Sequence, residues 1–310
     1  MNSYLGIDVG GTKIAAGIFD ENKKLVCSFK VPTYKVECPN CFAKALIEEI
    51  EKLISEAKVE KLCGIGVGIP GIVQNGVIIN TPNIKCLKGF NLGKALADKF
   101  ACKVILGNDA NVAALCQFNQ LEEVKDNMVY VTVSSGIGGG IILNGKIFEG
   151  DFGSAAEIGH MLTGRGGFSC ACGNNGCFES MASGTHLTER VLDFAKNGEK
   201  SPLVTKALNG EKISGYDVKV AYDNGDELAA RIINGTGELV GELCYNIFML
   251  LNIGAYCIGG GLTAWGEPLF NAIKTSFEKR NKFGTGKVRF YKATDSDDAG
   301  IIGAANLLWS

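Results

Sequence analysis

The chain has no dominant charge. Its 31 basic residues face 33 acidic ones, for a formal net charge of −2, and neither sign forms a long run. A nucleic-acid binder needs a basic stripe or arm to neutralise phosphates, so nucleic acid is excluded as the main partner. Long apolar runs are missing too. The longest, around Ile247 to Ile258, is broken by Asn252 and Gly254 and falls short of a membrane span. The first residues carry no basic region and no small-residue cleavage site, and pass straight into an apolar strand, so no leader is expected. Nor do cysteines frame short loops. Most of the 12 are scattered through apolar segments, as at Cys63, Cys102, Cys116, Cys244 and Cys257, the pattern of buried free thiols in a reducing compartment. With 310 residues, 46% hydrophobic and 21% charged, a globular cytoplasmic protein of two domains is expected.

What is present is concentrated between Val129 and Glu179, which reads VYVTVSSGIGGGIILNGKIFEGDFGSAAEIGHMLTGRGGFSCACGNNGCFE. A strand runs into the turn Ser134-Ser135-Gly136-Ile137-Gly138-Gly139-Gly140 and out into a second strand. Glu157 stands three residues before His160, and Cys170, Cys172 and Cys177 follow as C-x-C-x4-C. Three thiolates and one imidazole are a complete tetrahedral set for structural Zn²⁺. Gly173 and Gly176 let the backbone fold tightly enough for the sulfurs to converge. Unrelated reduced thiols or a disulfide are the alternative; spaced cysteines with a nearby histidine in an intracellular chain favour metal.

Residues 4–20, YLGIDVGGTKIAAGIFD, read as strand, glycine turn and strand, and Asp20-Glu21-Asn22 closes a hairpin to a third strand, Leu25–Val31. Asp8 interrupts an apolar strand just before Gly10-Gly11-Thr12-Lys13. Such a carboxylate is costly unless a cation or donors serve it. It reads either as a phosphate-and-Mg²⁺ loop, with Asp8 holding Mg²⁺ through water, or as a plain hairpin with a solvated Asp. Residues 7–20 and 131–144 share the same strand, glycine turn, strand plan. Two such units predict two similar domains facing each other across a cleft, a topology that resembles the ATPase class of actin and hexokinase.

Other segments carry weaker signals. Phe42, Leu46, Ile50, Leu53 and Ile54 predict a helix over 40–58. Cys38-Pro39-Asn40-Cys41 before it is a C-x-x-C that Pro39 at a helix start explains structurally. Gly66, Gly68 and Gly71 fit the dinucleotide fingerprint G-x-G-x-x-G, but Pro70 sits inside it and a Gln74-Asn75-Gly76 turn follows where a helix should begin, so that reading is rejected. A close backbone approach at these glycines stays open. Asp109, where the strand Val104–Leu106 gives way to a helix, is either an N-cap or a general base with Asn108 beside it. Residues 183–196 are expected as helix, 200–214 as a polar connector and 226–252 as the longest helix. Gly259-Gly260-Gly261 after a strand suits either a flat ligand such as adenosine or a tight turn. From Asp297 the chain is expected to end in a helix of small residues that packs closely on another helix.

Asp8 with Gly10–Lys13, Asn108-Asp109, Glu157 to His160 and the cysteine cluster, in this order, resemble the ROK family of repressors, open reading frames and sugar kinases. The resemblance spans essentially the whole chain, and Ser135 to Cys177 follows the family signature. It implies an α/β fold of two actin-like (ribonuclease H-like) ATPase domains around a central cleft, 1–118 plus 297–310 forming one and 119–296 the other. It also implies ATP-dependent phosphorylation of a hexose hydroxyl with Asp109 as base. Gly71, Asn83, Asn108, Glu157, His160 and Glu179 then resemble the sugar ligands. Gly10, Gly11, Thr12 and Lys13, with Ser135, Gly136 and Gly138, resemble the two phosphate loops, and Gly259 with Gly260 the adenosine loop. His160, Cys170, Cys172 and Cys177 match the family's zinc ligands, and a homodimer is implied. Zinc on one nitrogen of His160 would leave the other for a sugar hydroxyl.

Two departures stand out. Ser134-Ser135 replaces the family's frequent Gly-Thr and keeps the hydroxyl. Ala155-Ala156-Glu157 replaces Ala-Gly-Glu and adds a methyl beside the sugar site. The segment from Glu179 to Gly184 looks most like the glucokinase members, making glucose the first substrate expected. N-acetylmannosamine, N-acetylglucosamine, fructose and allose kinases use nearly the same residues. A sugar-sensing regulator is the rival from another class, but the first strand begins at Tyr4 and leaves no place for a helix-turn-helix.

Overall fold

The computed structural model describes residues 2–282, 286–294 and 298–309. Residues 1, 296, 297 and 310, which bound the expected domains, lie outside the described residues. The chain opens with β1 (Asn2–Val9), β2 (Lys13–Phe19) and β3 (Leu25–Pro32). The Asp20 carboxylate accepts from the Asn22 and Lys24 N–H groups at 2.9 and 2.8 Å, which closes the β2–β3 hairpin where expected. Next come α1 (Pro39–Glu56), β4 (Lys61–Ile69), β5 (Ile72–Gln74), β6 (Val77–Asn80), α2 (Leu92–Phe100), β7 (Lys103–Asn108) and α3 (Asp109–Gln120). After them run β8 (Met128–Val133), β9 (Ile137–Leu143), β10 (Lys146–Ile147), α4 (Phe178–Ala182), α5 (Leu187–Lys196), α6 (Pro202–Leu208), α7 (Gly215–Asp223) and α8 (Glu227–Leu251). The chain finishes with β11 (Ala255–Gly259), α9 (Glu267–Arg280), β12 (Arg289–Lys292) and α10 (Ala299–Asn306).

Two five-stranded sheets repeat one plan, in the orders β3-β2-β1-β4-β7 and β10-β9-β8-β11-β12. In each, an antiparallel hairpin edge joins parallel strands: β1 pairs antiparallel with β2 and parallel with β4, and β11 pairs parallel with β8 and β12. The internal likeness of 7–20 and 131–144 is thus a likeness of whole sheets. The Asn75-Gly76 pair, both at positive φ, turns β5 into β6 rather than into a helix, so the dinucleotide reading fails structurally as well.

The residues gather into two compact units. One comprises Met1–Asp126, Gly140–Ala155 and Asp295–Ser310; the other comprises Asn127–Gly139 and Ala156–Thr294. A simple cut at 118 therefore differs from the observed grouping. Segment 140–155 stays with the first unit because Gly140 lies against Ala110 and Ala114 of α3, and Gly153 lies against the Val73 carbonyl. In the first unit, Leu5, Ile7, Val9, Ile65 and Val67 from the sheet bury against Phe42, Leu46 and Ile50 of α1, the helical face the spacing predicts. Its other sheet face receives α10 through Ala15, Phe19, Ile301 and Ala305. In the second unit, α8 packs on α9, and Phe248, Phe277, Tyr256 and Phe290 form a ring cluster with centroids 5.4–6.1 Å apart.

Two expectations change. The polar connector at 200–214 contains α6, because Ser201 caps it, Pro202 starts it, and Leu203, Val204 and Ala207 bury; the charges around them hide this short apolar face. The close backbone approach at Gly66 is made by the final helix, not by a ligand. A Cβ on Gly66 would overlap the Ala304 carbonyl oxygen, and one on Gly6 the Ile301 carbonyl oxygen. No helix among the described residues is long and apolar enough to cross a membrane. Gly66→Ala should destabilise the protein by roughly 1–3 kcal/mol or more through overpacking, read as a lower thermal midpoint; an unchanged midpoint would show that α10 is not seated on this strand.

Candidate functional site

In the first unit the turn between β1 and β2 is held from one side. Gly10 N–H donates to the Lys13 carbonyl at 2.9 Å, Thr33 N–H to the Thr12 carbonyl at 3.0 Å, and the Thr33 hydroxyl to the Gly10 carbonyl at 2.6 Å. Thr33 was not legible in the sequence, because a threonine at a strand end carries no signal. Gly11, Thr12 and Lys13 are exposed at the turn, and a Cβ on Gly11 would meet Asn83 at 2.9 Å, so Asn83 stands directly beside it. Asp8 lies under the turn, its carboxylate in the space left by Gly300 of α10.

Of the two roles weighed for Asp109, capping falls to Asn108. Asn108 is the N-cap of α3: its Oδ1 accepts from Ala110 and Asn111 N–H at 2.8 and 3.3 Å, and its Nδ2 donates to the Gly71 carbonyl at 2.9 Å. Asp109 is therefore spared capping duty and begins the helix, its carboxylate reachable by solvent and accepting from Ala110 N–H at 2.9 Å. Gly71 has φ +111°, and a Cβ there would overlap the Asn80 carbonyl oxygen, so its backbone presents the oxygen that fixes Asn108.

The two carboxylates of this unit are held in an uncomfortable state. Loss of surrounding water raises Asp8 from its ordinary value, negative Asp109 raises it further, and Lys13 pulls it partly back. Desolvation likewise raises Asp109, opposed by the Ala110 N–H. Charge of this kind is relieved by a divalent cation, so Asp8 and the exposed Gly10–Lys13 turn fit the Mg²⁺ and phosphate groups their sequence implies.

In the second unit the Ser134–Gly136 turn lies between β8 and β9. Gly184 N–H donates to the Ser134 carbonyl at 2.7 Å, and Thr185 donates to the Ser135 carbonyl from its N–H at 3.0 Å and its hydroxyl at 2.6 Å. Gly260, φ +91°, presses against Thr132 and Val133 so closely that a Cβ would stand 2.6 Å from either oxygen. Gly261 faces the Ser134 hydroxyl. The second and third glycine turns are thus neighbours, both with bare backbone.

Glu179 and Gly159, the residue before His160, meet at one backbone position, Ile137. Glu179 Oε2 accepts from the Ile137 N–H at 3.1 Å. Gly159 presses on the Ile137 carbonyl, where a side chain would overlap. Glu157 precedes the 3₁₀ turn Ile158–His160 and is exposed. The Nδ1 of His160 lies 3.5 Å from Cys170 Sγ, and Cys172 Sγ lies 3.5 Å from Cys177 Sγ. All four donor atoms lie within 4.8 Å of one another. A tetrahedral Zn²⁺ with Zn–S bonds of about 2.3 Å requires sulfurs about 3.8 Å apart, so these residues fit the metal. Gly173 and Gly176 both take positive φ, as the convergence of the sulfurs requires. The Asn174 backbone N–H brings exposed Cys172 down to about 7, whereas burial pushes Cys177 up to about 12. Since Nδ1 faces the thiols, His160 keeps Nε2 for another partner.

The paired glycine turns and duplicated sheets define the actin-like ATPase fold. The sequence model of the ROK family matches residues 4–310, and the chain belongs to the ROK family. It is 31% identical to a glucokinase of Halalkalibacterium halodurans over 98% of this chain and 94% of that one. It is also 31% identical to an N-acetylmannosamine kinase of Yersinia pseudotuberculosis, over 100% of this chain and 99% of that one. A solved ROK glucokinase of Streptomyces griseus, in complex with glucose and AMPPNP, superposes with a TM-score of 0.77 at 28% identity and covers 98% of both chains.

Ala156, the methyl that departs from the family pattern, has φ +67°, where an L side chain is strained. Ala156→Gly should therefore stabilise the protein by about 0.5–1 kcal/mol, the strain less the entropy glycine adds to the unfolded chain; chemical denaturation measures this, and a destabilised variant would contradict it. Cys172→Ser should abolish stoichiometric zinc by elemental analysis and weaken sugar affinity at least tenfold, on the order of 1.4 kcal/mol. Unchanged affinity in zinc-free protein would show that the metal does not set the site.

Proposed function

We propose that the protein is an ATP-dependent hexose kinase and that Asp109 takes the proton from the attacking sugar hydroxyl. The observation that carries this reading is the state of Asp109 itself. It is accessible, relieved of capping by Asn108, raised in proton affinity by desolvation, and joined to no cation by an ion pair among the described residues. A sensor that only binds sugar has no use for such a group, whereas phosphoryl transfer needs one base aimed at one hydroxyl. Nucleotide binding is supported by the AMPPNP complex of the Streptomyces griseus relative.

Each remaining residue has a role that follows from its chemistry. Asn108, Glu157, Glu179 and His160 Nε2 supply acceptors and donors for vicinal hydroxyls, with Gly71 holding Asn108 and Asn83 standing by the phosphate turn. Gly10–Lys13 and Ser135–Gly138 offer backbone N–H groups to phosphate oxygens, and Gly259-Gly260 a bare surface to the adenosine. Asp8 would hold Mg²⁺, which when bound neutralises charge on the phosphates. His160, Cys170, Cys172 and Cys177 would hold Zn²⁺, which fixes the loop and takes no part in the transfer. Glucose is the hexose we propose, from the glucokinase relatives; N-acetylmannosamine is the second reading, since that relative is equally identical. The proposal includes a cytoplasmic homodimer, as in the family reading.

The test is a coupled ADP-release assay with Mg-ATP against glucose, N-acetylmannosamine, N-acetylglucosamine, fructose and allose. One sugar should turn over, and Asp109→Ala should lower kcat by about 10²–10⁴-fold. Zinc-loaded, folded protein that turns over none of them would contradict this reading and favour a non-catalytic sugar sensor or another acceptor.

A further inference from the structure

We propose that Cys38 and Cys41 form a second reactive site, a thiol–disulfide exchange pair at the start of α1 in which Cys38 attacks and Cys41 resolves. The pair lies outside the candidate kinase site. A purely structural reading through Pro39 explains the proline but not the two cysteines, since Ser, Thr, Asp or Asn would cap a helix better.

Cys38 is the N-cap residue, in extended conformation (φ −98°, ψ 122°), and its Sγ accepts from the Cys41 N–H at 3.2 Å. The helix behind it runs 18 residues with no acidic residue in its first turn, so its positive end acts on Cys38 unopposed from within. The Cys41 thiol also acts on the same sulfur. That contact and the backbone N–H hold Cys38 below the ordinary thiol range, while Cys41 is raised by the same contact. One sulfur is thus prepared to attack and the other to wait. Nearby charges are mixed: Lys44 acts favourably on Cys41, and exposed Glu37 precedes Cys38 in the chain. Cys86, within electrostatic reach of Cys38, is raised chiefly by burial and is the poorer nucleophile.

Access sets Cys41 apart from every thiol but Cys172, while Cys38 shares half-burial with Cys27, Cys63, Cys86 and Cys102 and differs from them in its place at the helix start. Cys41 is exposed and Cys38 half-buried, whereas Cys116, Cys244 and Cys257 are buried, and burial pushes Cys116 up to about 11. Cys172 is exposed and lowered, but it belongs to the four-donor cluster. In a compartment that keeps thiols reduced, an exposed C-x-x-C at a helix start has the form of a transient redox pair.

The oxidant is a small disulfide of the glutathione class. The Cys38 thiolate attacks one sulfur, forming a mixed disulfide and releasing one thiolate. Cys41 then loses its proton and attacks Cys38 Sγ, releasing the second small thiol and leaving a Cys38–Cys41 disulfide. The protein dithiol loses two electrons and two protons, and the small disulfide gains them as two thiols.

Zinc-loaded full-length protein would be incubated with excess glutathione disulfide, quenched with N-ethylmaleimide and mapped by peptide mass spectrometry, with circular dichroism confirming that each variant folds. Wild type should yield the Cys38–Cys41 disulfide, and Cys41→Ser should stop at glutathione on Cys38. Cys38→Ser should lower glutathione incorporation at Cys41 at least about tenfold relative to that at Cys38 in Cys41→Ser. Equal incorporation in the two variants, no disulfide in folded wild type, or reaction mainly at Cys172 would each overturn the proposal.

Discussion

The segment from His160 to Cys177 has no helix or strand of its own beyond two isolated bridges, and four convergent donors close it. The rest of the second unit's site hangs on that closure. His160 is the neighbour of Gly159, which presses on the carbonyl of Ile137, and Cys177 lies two residues before Glu179, which takes the N–H of the same residue. Tying His160 to Cys177 therefore grips Ile137 from both sides, at the mouth of the second glycine turn. The contacts within and beside the loop are isolated hydrogen bonds: among backbone groups, Thr163 N–H donates to the Gly176 carbonyl at 2.9 Å and Cys170 N–H to the Asn174 carbonyl at 2.8 Å, and the Thr163 hydroxyl reaches the Gly176 carbonyl at 3.0 Å and the Ser180 hydroxyl the Phe168 carbonyl at 2.9 Å, each worth about 1 kcal/mol net. The tetrahedral zinc proposed for these four donors would supply far more than that, and the metal would then be the frame on which Glu157, His160 and Glu179 keep their spacing.

The first unit solves a different problem with no metal cluster among its described residues. Its geometry is set by a packed core and by glycines that admit α10, so Asp8 and Asp109 are carried on rigid elements. Rigidity lets it keep two mutually unfavourable carboxylates close. Because both are raised in the folded state, their ionised forms oppose folding, and the opposition is present above the raised values and fades as pH falls through them. The packed core offsets that opposition and keeps both carboxylates in place.

Much of this was legible in the sequence because each feature rests on local chemistry. The glycine turns, the Asp20 hairpin, the face of α1 and the C-x-C-x4-C spacing announce themselves within a few residues. Residues that act at a distance did not. Thr33 and Thr185 tie down the two glycine turns from 21 to 50 residues away, with no motif to mark them. Gly66 looked like part of a nucleotide fingerprint and turned out to be space for a helix more than 200 residues later. The sequence offered capping of α3 as one of two roles for Asp109, and only the geometry gives it to Asn108 and frees Asp109. The resemblance of the signature from Ser135 to Cys177 brought the family within reach, while the duplicated sheet order explains why the strand, glycine turn, strand plan of 7–20 recurs at 131–144.

Zinc-edge X-ray absorption, recorded with and without saturating sugar, tests most directly whether the metal frames the site without joining the chemistry. Three sulfur ligands near 2.3 Å and one nitrogen near 2.0–2.1 Å are expected, unchanged when sugar binds. A coordinated water or an oxygen ligand that changes on sugar addition would contradict it, because the metal would then touch the substrate.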